Sequence, residues 1–333
     1  MINLRYANIN AKLKGMHAKF LNQDELFKLS RQNDMRNAIF FLRENIEDLS
    51  NLDENSDRIL VEKELDKIII DDINKIEKVL SSSEKELFED FVSKYEIKCI
   101  IEAYKIVYSN NDMNDSQKIV DLWTSKIFKE INGITKATNS EQFLNILKRT
   151  KYYKYVKEYI EKKDFKVNDL ETILYKVYFE NLYKNLKRID KNLVDIIGRN
   201  IDLLNINWIF RMNKYYNISN ENIKEKLINV YYKIDKEIIE NLINSKDYDE
   251  FKKIVDKTEY LIIMNDKEVD LDNKIDKYLY QKCKKVFMFQ KYNLNTVFSY
   301  MYLKEFEKQN IINILGGISY NIERKVIDKR IIT

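Results

Sequence analysis

Apolar residues return along this chain at three- and four-residue steps. Leu87, Phe88, Phe91, Val92 and Tyr95 form one stripe, Ile209, Met212 and Tyr216 a second, and Phe298, Met301, Tyr302 and Phe306 a third. That spacing predicts amphipathic helices. No stretch alternates strictly between apolar and polar, so no strand is expected and the fold class is all-α. Ser83 followed by Glu86 predicts a capping box at the start of the first stripe. The polar breaks Ser109–Ser116 and Tyr216–Asn222 predict loops between helices, and Gly316-Gly317 predicts a helix C-terminus with glycine in the left-handed conformation. The apolar runs Ile68–Ile70 and Leu261–Met264 are the size of buried helix turns. None reaches the ~18 residues that a membrane-spanning helix requires.

The pattern also repeats on a longer scale. Asn22 with Glu25, Asn139 with Gln142, and Asp247 with Glu250 each stand as a capping pair before an apolar pair: Leu26 and Leu29, Phe143 and Ile146, Phe251 and Ile254. Asn33, Thr150 and Thr258 follow in register, then Met35, Tyr152 and Tyr260. A second block aligns Leu65, Ile173 and Ile275, and two copies share a tripeptide form, Leu65-Asp66-Lys67 and Ile275-Asp276-Lys277. A third block aligns Glu96 and Cys99 with Asp202 and Asn205 and with Glu307 and Asn310. Three blocks in one order at a common offset predict three related helical repeats, over residues 1–105, 106–215 and 216–333.

Composition narrows the function. The 333 residues hold 58 Lys and Arg against 54 Asp and Glu, a net charge of +4, so bulk charge selects neither nucleic acid nor a membrane. With 5 Gly and 0 Pro, turn-rich sandwiches and glycine-rich phosphate loops are excluded. Two cysteines and one histidine leave no disulfide framework and no His/Cys metal site, and no cofactor is expected. Charge is uneven among the repeats: 17 basic and 21 acidic residues in the first, 20 and 14 in the second, 21 and 19 in the third. Such faces fit polar, salt-sensitive contacts with different surroundings.

Candidate chemistry is sparse. His17 reads as a helix residue, Cys99 as a buried helix contact, and Cys283 as a bystander thiol between Lys282 and Lys284. The repeated pairs Glu96–Cys99, Asp202–Asn205 and Glu307–Asn310 lie one turn apart on a helix face, and are expected to pin each helix through side-chain hydrogen bonds. Tyr152, Tyr155 and Tyr159, among lysines, read as a buried stripe or as a stacking surface for nucleic acid. No catalytic residue is expected.

The residues are similar to a known family. Tyr278-Leu279-Tyr280, Phe287, Val297, Tyr300, Leu303-Lys304-Glu305, Glu307, Asn310-Ile311, Ile314 and Gly316 carry the clearest match. Tyr6, Ile9-Asn10-Ala11-Lys12, Met16 and Leu21 match its opening helix, and Asp202, Asn205-Ile206, Ile209, Arg211, Lys214-Tyr215-Tyr216 and Ser219 its middle. The chain resembles the C subunits of the V/A-type ATP synthases and ATPases, relatives of the d subunit of the vacuolar ATPase. Ile312 and Ile318 depart from the family, which often has Arg and Lys there. The resemblance implies three helical domains in pseudo-threefold symmetry as a funnel, and a non-catalytic rotor component. Its implied partners are the proteolipid (c/K) ring, the D and F proteins of the central shaft, and the static membrane subunit (a/I), at the cytoplasmic face of the membrane. The repeated residues, with Arg211 and Tyr300, are carried as structural. A generic helical scaffold explains the repeat but not the ordered family residues.

Overall fold

The computed structural model describes residues 2–109, 114–160, 165–213, 218–264, 270–289 and 293–333. These residues are helical and contain no strand. Two compact units emerge, residues 66–184 and residues 1–65 with 185–333.

In the 66–184 unit, α4 (Arg58–Glu77) enters, followed by α5 (Ser82–Ser109), α6 (Asn114–Lys126), α7 (Ser140–Leu147), α8 (Tyr153–Val156) and α9 (Val167–Ile189). α5 packs along α6 and α7. Its stripe Leu87, Phe88, Phe91, Val92 and Tyr95 is buried as the spacing predicts, with Tyr95 stacked 4.6 Å from Trp123. The helix starts earlier than expected. Ser81, not Ser83, begins it, and Glu84 accepts from both the amide (2.9 Å) and the hydroxyl (2.6 Å) of Ser81. Both Ser-x-x-Glu spacings exist in Ser81–Glu86, and the earlier one lengthens the helix at its N-terminus. The expected loop Ser109–Ser116 is shorter too, because α6 already begins at Asn114.

The tyrosine stripe is corrected. Tyr152 is buried, Tyr155 half-buried, and Tyr159 43% exposed. The buried set is Tyr152, Val156 and Ile160, a four-residue step that lets aliphatic side chains take the inner places.

The other unit contains α1 (Ile2–His17), α2 (Gln23–Ser30), α3 (Met35–Asn45), α10 (Asp195–Arg211), α11 (Asn220–Lys226), α12 (Lys236–Ile243), α13 (Tyr248–Val255), α14 (Leu271–Phe289), α15 (Leu294–Ser319) and α16 (Arg324–Arg330). α15 is its central helix and packs on α14, α1, α2, α10 and α16. It is apolar on nearly every side, so Val297, Phe298, Tyr300, Met301, Leu303, Ile311, Ile314 and Leu315 are all buried. Ile209 and Met212 are buried at the end of α10, while Tyr216 of that stripe lies outside the described residues. α11 takes Asn220–Asn222 into a helix where a loop is expected, with the Ser219 hydroxyl accepting from the Asn222 amide at 3.4 Å. Ile68–Ile70 is buried as predicted, whereas Leu261–Met264 is a 3-10 turn with Leu261 and Ile262 exposed.

Gly316 and Gly317 do not end α15, which continues to Ser319. Asn321 supplies the positive φ of 52° beyond it. Gly317 admits α16 instead: a Cβ there would lie 2.6 Å from Ile327 Cδ1. Gly198 does the same on α10, where a Cβ would fall 2.4 Å from the Tyr232 ring.

Candidate functional site

The three capping pairs become three helices of equal length. α2, α7 and α13 are each 8 residues long. The Asn22, Asn139 and Asp247 side chains accept from the Glu25, Gln142 and Glu250 amides at 3.0, 3.0 and 2.8 Å. Only Glu25 reaches back to the cap's own amide (2.7 Å); Gln142 and Glu250 take the amide one residue earlier, Thr138 (3.0 Å) and Lys246 (2.9 Å). Thr150 and Thr258 then repeat one turn geometry, each hydroxyl accepting from the amide two residues on, Tyr152 at 3.2 Å and Tyr260 at 3.1 Å. Both tyrosines are fully buried, and Met35, their counterpart in the first copy, is not.

The repeated acids reach beyond their own helices, each to a segment distant in sequence. Asp202 on α10 takes the Tyr260 hydroxyl at 2.8 Å and the amides of Lys233 at 2.7 Å and Tyr232 at 3.2 Å. Glu96 on α5 lies near enough to the Tyr152 hydroxyl to interact with it electrostatically, and that hydroxyl donates to the Ser93 carbonyl, one turn before Glu96 on the same helix, at 3.5 Å. Glu307 on α15 accepts from the Leu21 amide at 2.7 Å and pairs with Lys304 at 2.7 Å, with both side chains buried. A main-chain amide stands in where the first copy lacks the tyrosine. Burial pushes Glu96 up to about 7 and Asp202 up to about 6, the latter against the pull of its amide and hydroxyl donors. The acids raise the pKa of the Tyr152 and Tyr260 hydroxyls in addition to the effect of burial.

One turn on, the asparagines repeat a second geometry. Asn205 donates to the Ile228 carbonyl at 2.9 Å and accepts from the Ile228 amide at 3.0 Å. Asn310 makes the same two-way clamp on Ile332, 2.8 Å in each direction. A carboxamide has the strong donor and acceptor that this requires, whereas the thiol of Cys99 is only a weak donor and acceptor. Cys99 is buried, and burial raises its thiol pKa. Cys283 is buried as well.

Around Asp202 lies a polar network that sequence reasoning missed. Arg199 holds Asp195 at 3.0 Å, Glu259 at 2.7 Å and the Tyr278 hydroxyl at 3.1 Å, and the Tyr232 hydroxyl donates to Asp195 at 2.8 Å. The sequence carries the signal: Asp195 and Arg199 are one turn apart on α10. Arg211 is more peripheral, 3.8 Å from Asp272 and exposed. Tyr300 is fully buried with its ring 5.5 Å from Phe20 and 6.2 Å from Phe287. His17 packs at a tilt against Phe20 (4.7 Å) and Phe287 (4.8 Å), and burial plus Lys14, Lys284 and Lys304 press its pKa down to about 4. A cavity of about 260 Å³ opens between α14, α15 and α16, with Arg58, Asp272, Asp276, Gln309 and Arg330 on its walls. Gln309 donates to Asp276 there at 2.8 Å. Among the described residues no three His, Cys, Asp or Glu side chains converge as a metal site, and no helix is long and apolar enough to cross a membrane.

What this arrangement does is hold segments together. It brings acids to tyrosines and amides.

The family model described as ATP synthase (C/AC39) subunit matches residues 9–330. The A-type ATP synthase C subunit of Pyrococcus furiosus is 24% identical, covering 98% of this chain and 89% of that protein. The protein of the same name from Pyrococcus horikoshii is 23% identical over 98% and 89%, and that from Methanocaldococcus jannaschii is 20% identical over 98% and 86%.

Proposed function

The chain belongs to the ATP synthase (C/AC39) subunit family, and from that membership we propose that it is the non-catalytic rotor component joining the D–F shaft to the proteolipid ring. It transmits torque between ATP turnover and proton or sodium translocation at the cytoplasmic face of the membrane, beside the static membrane subunit (a/I). Its three repeats, 1–105, 106–215 and 216–333, act as three domains about a pseudo-threefold axis, forming a funnel.

The observation that carries this reading is the relay of repeated acids. The Glu96 turn of the first copy, through the Ser93 carbonyl, holds the Tyr152 hydroxyl of the second, Asp202 of the second holds Tyr260 of the third, and Glu307 of the third holds Leu21 of the first. Each copy is fastened to the next, and the last to the first. That order fits repeats fastened to one another by equivalent residues, as suits an adaptor that must pass on rotation. The residue roles follow: Glu96, Asp202 and Glu307 join the copies, Asn205 and Asn310 clamp main chain, and Tyr300 fills the core.

Size-exclusion chromatography of the chain with detergent-solubilised proteolipid ring and with a D–F complex tests this. Co-elution with both is expected. Elution alone at every salt concentration overturns the assignment.

A further inference from the structure

Residues 1–23 and 277–304 contain no Asp or Glu, although the chain is 34% charged. The first stretch holds Arg5, Lys12, Lys14 and Lys19; the second holds Lys277, Lys282, Lys284, Lys285, Lys291 and Lys304. The fold brings the two together. Lys14 Nζ donates to the Phe287 carbonyl at 2.7 Å, sits 4.1 Å over the Phe287 ring and lies 3.5 Å from Met288 Sδ. His17 rests against the same ring, close enough to Lys14, Lys284 and Lys304 to feel all three charges.

The outer face of α14 is unusual for a solvated surface. Its inner face, Leu279, Cys283, Val286 and Phe287, is buried. Gln281, Lys284, Lys285, Met288 and Phe289 follow the three- and four-residue steps of the opposite face, and all are exposed. The face thus runs from two lysines to two exposed apolar side chains, with Met288 48% and Phe289 82% exposed. Lysines at a helix C-terminus suit the helix dipole, but the dipole gives no reason to leave Phe289 in water.

We propose that this face docks on an anionic phospholipid bilayer, with Lys14, Lys284 and Lys285 at the level of the lipid phosphates and Met288 and Phe289 in the acyl boundary. Positive charge above an apolar tip is the arrangement that an interfacial segment needs. Nucleic acid would use the charge but leave the methionine unmatched. The proposal rests on the rotor reading only in that a membrane is within reach; the charge pattern stands by itself.

Flotation of the purified chain with vesicles tests it, because vesicles contain neither ring nor shaft. A failure here leaves the adaptor assignment standing, and a failure of the ring and shaft test leaves the vesicle result standing. Binding is expected to vesicles containing phosphatidylglycerol, to be absent with pure phosphatidylcholine, and to weaken with salt. Lys284→Gln and Lys285→Gln should each lower binding about 5-fold, and Phe289→Ser should lower it at unchanged salt dependence. All three side chains are exposed, and an unchanged unfolding temperature would show that the variants fold. Equal binding to neutral vesicles, no binding at all, or variants that bind like the parent would each overturn the proposal. So would RNA shifting the chain's mobility while anionic vesicles do not bind it.

Discussion

At the scale of single residues, the buried carboxamides are the most exacting feature. Asn205 and Asn310 are each 1–2% exposed and each satisfy one amide and one carbonyl of the main chain. Alanine at either position leaves two buried backbone groups unpaired, at a cost of about 2–3 kcal/mol. Urea unfolding of Asn310→Ala should therefore show a lower midpoint at the same slope; an unchanged midpoint would contradict the clamp. The acids act through pH. Glu96 titrates near 7 and Asp202 near 6 in the folded chain, both raised by burial. A raised carboxyl pKa means that the folded state holds a proton which the unfolded state has lost. Stability then falls as pH rises from about 4.5 to about 7. Glu96→Gln should flatten part of that slope and gain up to about 3 kcal/mol on the parent at pH 8. A slope as steep as the parent's would refute the assignment. These residues could be singled out from sequence because their spacing repeats. Their partners could not: Asp202 meets Tyr260 fifty-eight positions away, and periodicity gives order along the chain, not neighbours in space.

At the scale of elements, helices and caps follow from local chemistry, and so they could be read in advance. The three capping pairs start three 8-residue helices. The misreadings arise where two local solutions compete or where packing decides. Ser81–Glu84 and Ser83–Glu86 are equivalent in sequence, and the helix uses the earlier. Gly317 looked like a terminator because glycine is favoured there, but its lack of a side chain serves the approach of Ile327. The glycines therefore divide by environment. A Cβ at Gly15 meets nothing within 4 Å on α1, so Gly15→Ala should stabilise by roughly 0.5–1 kcal/mol through helix propensity. At Gly198 the added carbon meets Tyr232, which is held by its amide to Asp202 and its hydroxyl to Asp195. Gly198→Ala should cost about 1–3 kcal/mol. Thermal unfolding of the two variants should move in opposite directions; shifts of the same sign would show that the close approach does not matter.

At the scale of the whole molecule, the all-helical class and the family were within reach of the sequence, since both rest on patterns that survive 20–24% identity to the relatives. What the sequence withheld is the cross-linking of one copy to the next, which depends on tertiary placement. That cross-linking supports the central proposal, that the chain passes on torque. The most direct measurement is ATP-driven ion uptake by the rotary complex reconstituted in vesicles with and without this chain. With it, hydrolysis should drive uptake. Without it, hydrolysis should continue while uptake stops, because the catalytic part still turns but no longer grips the ring. Uptake that persists without the chain, or hydrolysis that vanishes with its removal in detergent, would contradict the account.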